Sequence, residues 1–237
     1  MIGDIRITPF FNSHSIYDSY MFLIEADGKR IWHTGDYRDH GYLGKGLYPT
    51  LHRYASNIDL LITEGTTLKR GDLCIQESEV SRRMACVMSA FKYVIVLASA
   101  TDIERLASVK TAALKARKGL YYTGGMMGRA MRIFTHREAK SSKGLFAFHF
   151  KYVGEDDPKL GEMQKKGFVL VAGASHLDFV KKMCQGLSSS EVLLIYSAWD
   201  GYYKDPLQVK QNPAYRDFRE AFSNVVDIHT SGHASRE

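Results

Sequence analysis

Cysteine is scarce in this 237-residue chain: Cys74, Cys86 and Cys184 are widely spaced and odd in number. That excludes a disulfide framework and the paired spacing of a zinc knuckle, leaving buried structural thiols as the expectation. Long apolar runs are missing too, since no stretch approaches the roughly eighteen residues that a membrane-spanning helix requires. No membrane partner is expected. The amino-terminal Met1-Ile2-Gly3-Asp4-Ile5-Arg6 lacks the basic start and apolar run of a signal peptide, so a cytoplasmic location is expected. Internal repeats, low-complexity tracts and obvious flexible linkers are also missing, which excludes a repeat array.

What is present suits a globular chain. A hydrophobic content of 45% is enough to bury a substantial core. Charge is uneven: residues 1–66 carry a net −2 and residues 67–237 a net +8. A basic second part attracts polyanions, although plain solvated surface has the same composition.

Strand texture fills the first part: Ile5–Pro9, Tyr20–Glu25, Lys29–Trp32 and Ile58–Thr63. Asp27-Gly28 between the second and third runs predicts a hairpin. From about Cys74 the period becomes helical over Glu77–Lys92 and Asp102–Arg117, with Tyr93–Leu97 between them as a buried parallel strand. Strand 167–172, helix 177–187 and strands 191–196 and 225–229 continue the alternation. An α/β chain is expected, with a boundary near Gly65–Asp72 that separates residues 1–66 from 67–237.

Four polar clusters sit where apolar strands run out into loops, the places where α/β proteins hold ligands. They are Ser13-His14-Ser15, His33-Thr34-Gly35-Asp36-Tyr37-Arg38, Thr63-Glu64-Gly65-Thr66 and Thr230-Ser231-Gly232-His233-Ala234-Ser235. Each has a plainer explanation. His14 suits a hydrogen-bonded structural histidine, Asp36 a turn or cap, Glu64 an exposed loop acid and His233 a helix cap.

Taken in order, the clusters resemble the metallo-β-lactamase fold, and within it the β-CASP, ribonuclease J-like nucleases. The resemblance implies a partial αββα sandwich over residues 1–66 and a β-CASP α/β domain over 67–237. It implies His14 and Asp36 as metal ligands and Glu64 as a supporting catalytic acid. It places Ser231 and His233 at the scissile phosphate. The implied cofactor is Zn²⁺, with Mn²⁺ or Mg²⁺ as alternatives, and the implied activity is phosphodiester hydrolysis on RNA or DNA. Imidazole and carboxylate are suitable donors for such cations, and two metals stabilise both oxygens of an in-line displacement.

The chain departs from that family in two places. No two histidines stand two apart, so the His-x-His-x-Asp-His cluster is absent; it is expected upstream of Met1, and a last metal-ligating His downstream of Glu237. Two ligands remain where a catalytic site takes about three from the protein. Weak or absent metal binding by this chain alone is therefore expected, as are exposed strand edges that favour a homo-oligomer or a companion chain. Two other functions stay open: a non-catalytic nucleic-acid-binding or assembly module, and a small-molecule metallo-hydrolase. His33 is expected to be structural.

Basic residues interleave with aromatics in the second part, at Phe91-Lys92-Tyr93, at Arg117-Lys118 ahead of Tyr121-Tyr122, and at His149-Phe150-Lys151-Tyr152. Lysine and arginine neutralise phosphates while aromatic rings stack on bases, although core packing claims many such rings. Gly124-Gly125-Met126-Met127-Gly128 lacks the Lys-Ser/Thr of a phosphate loop and is expected to be a turn. Ser197 suits a cap or turn.

Overall fold

The computed structural model describes residues 3–69, 74–138, 144–154 and 157–235. It is a mixed α/β chain made of two compact units.

The first unit holds a four-stranded mixed sheet. Strands β1 (Arg6–Phe11), β2 (Tyr20–Ala26) and β3 (Lys29–His33) run antiparallel, and β4 (Leu60–Ile62) adds parallel to β3. Asp27 and Gly28 both take positive φ, +50° and +71°, which is the two-residue hairpin turn that the Asp-Gly pair favours. Alternation along β2 and β3 sends Met21, Leu23 and Trp32 into a core. Leu47 and Leu51 close it from α1 (Leu47–Tyr54), and the Phe10 ring stacks on Trp32 at 5.1 Å between centroids. The outer strand β4 is different, because Leu60, Leu61 and Ile62 are all exposed.

The second unit is a six-stranded parallel sheet in the order β10-β9-β5-β8-β6-β7. Its strands are β5 (Tyr93–Ala98), β6 (Gly119–Tyr122), β7 (Lys151–Tyr152), β8 (Phe168–Ala172), β9 (Val192–Ser197) and β10 (Val225–Asp227). The three central strands, β9, β5 and β8, are buried along their whole length, as their unbroken apolar runs require. Helices α2 (Glu77–Ala90), α3 (Ile103–Lys115), α4 (Gly125–Glu138), α5 (Leu160–Lys166) and α6 (Leu177–Cys184) alternate with them. Three short helices, α7 (Gly201–Lys204), α8 (Pro206–Gln211) and α9 (Pro213–Glu220), precede β10. Helix α3 starts where the Asp102 carboxylate accepts the Arg105 N–H at 3.0 Å.

Several expectations change. The units divide after Ser78, and the residues from Thr230 onward return to the first, whereas composition suggested a break between 66 and 67. The cause is polar. Arg38 draws Glu77 into the first unit, while His14, Glu64 and Thr67 bond to residues 232–234. Of the anticipated boundary stretch, residues 70–72 lie outside the described residues. Gly124–Gly128 does not form a turn: Gly125, at φ +62°, opens helix α4. Cys86 is exposed on α2 rather than buried, whereas Cys184 is partly covered and burial pushes its thiol up to about 11.

Candidate functional site

The site is built on loops that leave the first unit's sheet. Asn12, just past β1, is buried, and its side-chain amide donates to the carbonyls of Thr34 at 3.2 Å and Asp36 at 3.1 Å. The loop after β3 is thereby tied to the one that carries His14. Gly35 turns that loop at φ +55°, where a Cβ would stand 2.9 Å from the Tyr20 carbonyl, so a larger residue has no room. The Gly35 N–H donates to His33 Nδ1 at 3.0 Å, which gives His33 a structural task.

Glu64 is the hub. Its Oε1 accepts from the Tyr37 N–H at 2.7 Å and the Ala234 N–H at 3.2 Å, and its Oε2 stands 2.8 Å from His233 Nδ1. The side chain is only 5% exposed, so the exposed-loop-acid explanation fails for this residue. Burial pushes the carboxyl upward in pKa, but the two backbone donors and the neighbouring His233 outweigh it and hold the group below its ordinary value. An ionised Glu64 accepts from His233, which puts that imidazole's proton on Nδ1.

His14 is oriented from the other side. Its Nδ1 lies 2.6 Å from the Gly232 carbonyl, which can only accept, so Nδ1 carries the proton and Nε2 keeps its lone pair. That Nε2 faces Asp36 Oδ2 at 3.9 Å, and the His14 and His233 rings meet edge to face at 4.9 Å. Gly232 is fixed by space as well, because a Cβ there would collide with the Ser15 side chain. Ser231 Oγ accepts the His233 N–H at 3.1 Å and so forms the turn that presents the imidazole.

The arrangement therefore brings together His14, Asp36, Glu64, Ser231 and His233 from segments up to about 220 residues apart. One donor atom each from His14, Asp36 and His233 lies within 4.8 Å of the others, the single such grouping of three among the described residues. Imidazole nitrogen and carboxylate oxygen are donors that could hold a divalent cation such as Zn²⁺ or Mn²⁺. His233 cannot give its Nδ1 to both jobs: that atom is 3.9 Å from Asp36 but 2.8 Å from Glu64. With Glu64 ionised, the closer bond decides, and His233, like His14, keeps Nε2 as the ring nitrogen that carries the lone pair.

Three supporting residues had no role assigned from the sequence. Arg38 and Glu77 form an ion pair at 3.3 Å with both side chains fully buried, and the same guanidinium reaches Ser13 Oγ and the Ser231 carbonyl. His40, also buried, donates from Nε2 to the Ser231 carbonyl at 2.7 Å. Only the closeness of Arg38 and His40 to Asp36 in the chain hinted at them, and Glu77 lies 39 residues from its partner with no local signal. His229 stays in the second unit, bonded to Arg105 at 3.0 Å, and Ser197 is buried against Arg105 and the Ile228 carbonyl.

No family model matches the chain, and no curated protein matches it either. Among solved structures, it is similar to a protein of unknown function from Enterococcus faecalis V583, with a TM-score of 0.69 at 17% sequence identity. The match covers 99% of this chain and 54% of the other, so the chain spans about half the length of that protein. At that identity the likeness shows the fold alone.

Proposed function

We propose that this chain carries part of a metal-dependent phosphodiester hydrolase acting on RNA, a partial metallo-β-lactamase sandwich joined to a β-CASP α/β domain. The observation that carries the proposal is the meeting of His14, Asp36, Glu64 and His233, four residues from four separate strand-end loops, in one hydrogen-bonded cluster. Core packing does not require four polar loops to converge. The donor set fits a divalent cation, with His14 Nε2 and Asp36 as its holders and the Gly232 carbonyl fixing the His14 tautomer. Such a cation, when bound, supplies Lewis-acid polarisation and lowers the pKa of a coordinated water. The chain's own part is proton handling. Glu64 orients His233 through Nδ1, which makes Nε2 the atom that can exchange a proton with a phosphoryl or leaving oxygen.

A second function has one observation in its favour. Asp36 is 52% exposed and its carboxylate stands 3.9 Å from both imidazoles, so no closed ligand set holds it in place. That suits a nucleic-acid-binding module without a metal. Elemental analysis after mild loading with Zn²⁺ or Mn²⁺, with His14→Ala and Asp36→Ala alongside, separates the two. Near-stoichiometric metal lost in both variants, together with metal-dependent RNA cleavage by the parent chain, supports the hydrolase. Salt-sensitive RNA binding with no metal and no cleavage supports the module over a hydrolase active in this chain alone.

A further inference from the structure

The chain's positive charge is concentrated in one supersecondary unit of the second sheet. Residues 117–153, which span β6, α4 and β7, hold eight Lys/Arg against one Glu, a net +7 in a chain whose total is +6. The other 200 residues therefore sum to −1. A local excess of this size draws polyanions to the surface, and the side chains presented there decide what is held.

Strand alternation sorts those side chains onto two faces. Tyr121 and Lys151, paired in register, line a cavity beside α5 together with Asp157 and Glu162, so the cations on that face are offset. Tyr122 and Tyr152, also paired, take the α4 face, where their rings meet at 5.7 Å between centroids. Gly128 of α4 lies against the Tyr122 ring, since a Cβ there would stand 3.9 Å from Tyr122 Cε2.

Tyr152 is held on one side and bare on the other. Tyr122 tilts against its ring, and Cβ atoms on Gly124 and Gly154 would stand 3.8 and 3.1 Å from its hydroxyl, so the ring rests on backbone. It is nevertheless 56% exposed. A rigidly seated ring with an open face is what a base stacks on. The cations stand beside it. Arg132 shares the Gly128 stripe of α4, about 6 Å further along the axis, and Arg129 neighbours both on the solvent side. Met127, Ala130, Met131 and Phe134 bury the opposite side of the helix, which turns the arginines outward. Both are exposed, and neither makes a hydrogen bond or ion pair among the described residues.

We propose that this face of β6, α4 and β7 binds a single-stranded nucleic acid, one base stacked on the open side of Tyr152 and flanking phosphates on Arg129 and Arg132. A duplex keeps its bases stacked on one another and leaves the ring without a partner, so the surface selects single strands. The inference rests on the nucleic-acid ligand of the functions proposed above, and it uses neither His14 nor Asp36.

The experiment is fluorescence anisotropy of the full chain in chelator with a labelled, unstructured RNA dodecamer over a range of salt, alongside an abasic strand of the same length and a duplex. Tyr152→Ala should weaken RNA binding about 10-fold and Tyr152→Phe less than about 2-fold, because the ring stacks and the hydroxyl does not. The Arg129→Gln/Arg132→Gln pair should weaken binding about 10-fold at low salt. It should also lower the slope of log affinity against log salt by about 1.4, two phosphates at roughly 0.7 each. Lys151→Gln, on the opposite face, should stay within about 3-fold of the parent chain. An unchanged affinity in Tyr152→Ala, an abasic strand or a duplex bound as tightly as the RNA, or Lys151→Gln as damaging as the arginine pair overturns the proposed surface while leaving nucleic-acid binding by the chain standing. No binding of the RNA at all overturns the surface and the nucleic-acid functions together. Metal uptake at His14 and Asp36 is measured separately, so a failure there bears on the hydrolase alone.

Discussion

Arg38→Met tests whether the buried polar core under the site holds it together. Both side chains of the Arg38–Glu77 pair are 0% exposed, so removing the guanidinium leaves a carboxylate in the interior without its cation. Breaking a pair of this kind costs about 3–5 kcal/mol, mostly the penalty of the stranded charge. Arg38 also bonds Ser13 Oγ at 3.3 Å and the Ser231 carbonyl at 3.4 Å; both are long, and together they add about 1 kcal/mol. Glu77→Leu should cost a similar ~3–5 kcal/mol. The double variant removes both charges and should be milder than either single one, at about 1–2 kcal/mol, leaving a coupling energy of several kcal/mol. Urea unfolding followed by Trp32 fluorescence is the assay. A Trp199→Phe background leaves Trp32, fully buried in the first unit, as the sole indole of a chain with two tryptophans. Additive singles, or an Arg38→Met cost below ~1 kcal/mol, would refute the reasoning.

Three shorter predictions follow. Glu64 titrates below its ordinary 4.5 in the folded chain, so its stabilisation is present above that pH and is lost as the pH falls through the lowered value. Glu64→Gln should therefore cost about 1–3 kcal/mol near neutrality and flatten the acid limb of the unfolding midpoint against pH; an unchanged limb contradicts the assigned hydrogen bonds. Gly232→Ala forces a Cβ into Ser15 and should destabilise by about 1–3 kcal/mol while lowering whatever metal the chain takes up. Leu61→Lys, on an exposed apolar edge strand, should change stability by under ~0.5 kcal/mol but reduce self-association measured by light scattering. A parent chain that is already monomeric at high concentration removes the basis for that last expectation.

Most strands and the first long helices could be read from local pattern, because their signals are local. The Asp27-Gly28 turn and the apolar runs of β5, β8 and β9 follow from a few adjacent residues. Helix α4 escaped because glycine at 124, 125 and 128 argues for a turn, and only α4's burial of Met127, Ala130, Met131 and Phe134 overrides that propensity. The four polar loops could be picked out since each follows an apolar strand. What holds them could not, because Asn12, Arg38, His40 and Glu77 act on partners 22 to 193 residues away.

The two halves of the cluster are unequal, and the inequality has a physical source. His233 is set by bonds that the chain makes for its own stability: Glu64 accepts two backbone donors, Ser231 Oγ accepts the His233 N–H, and His40 with Arg38 anchors the Ser231 carbonyl. None of these contacts involves a metal ion. Asp36 is half exposed, its carboxylate 3.9 Å from both imidazoles and outside hydrogen-bond reach of either. The imidazole is thus preorganised by folding, whereas the carboxylate has no close partner in the cluster and faces solvent. Folding energy alone accounts for the half of the site that would meet a phosphate; it does not account for the half that would meet a metal.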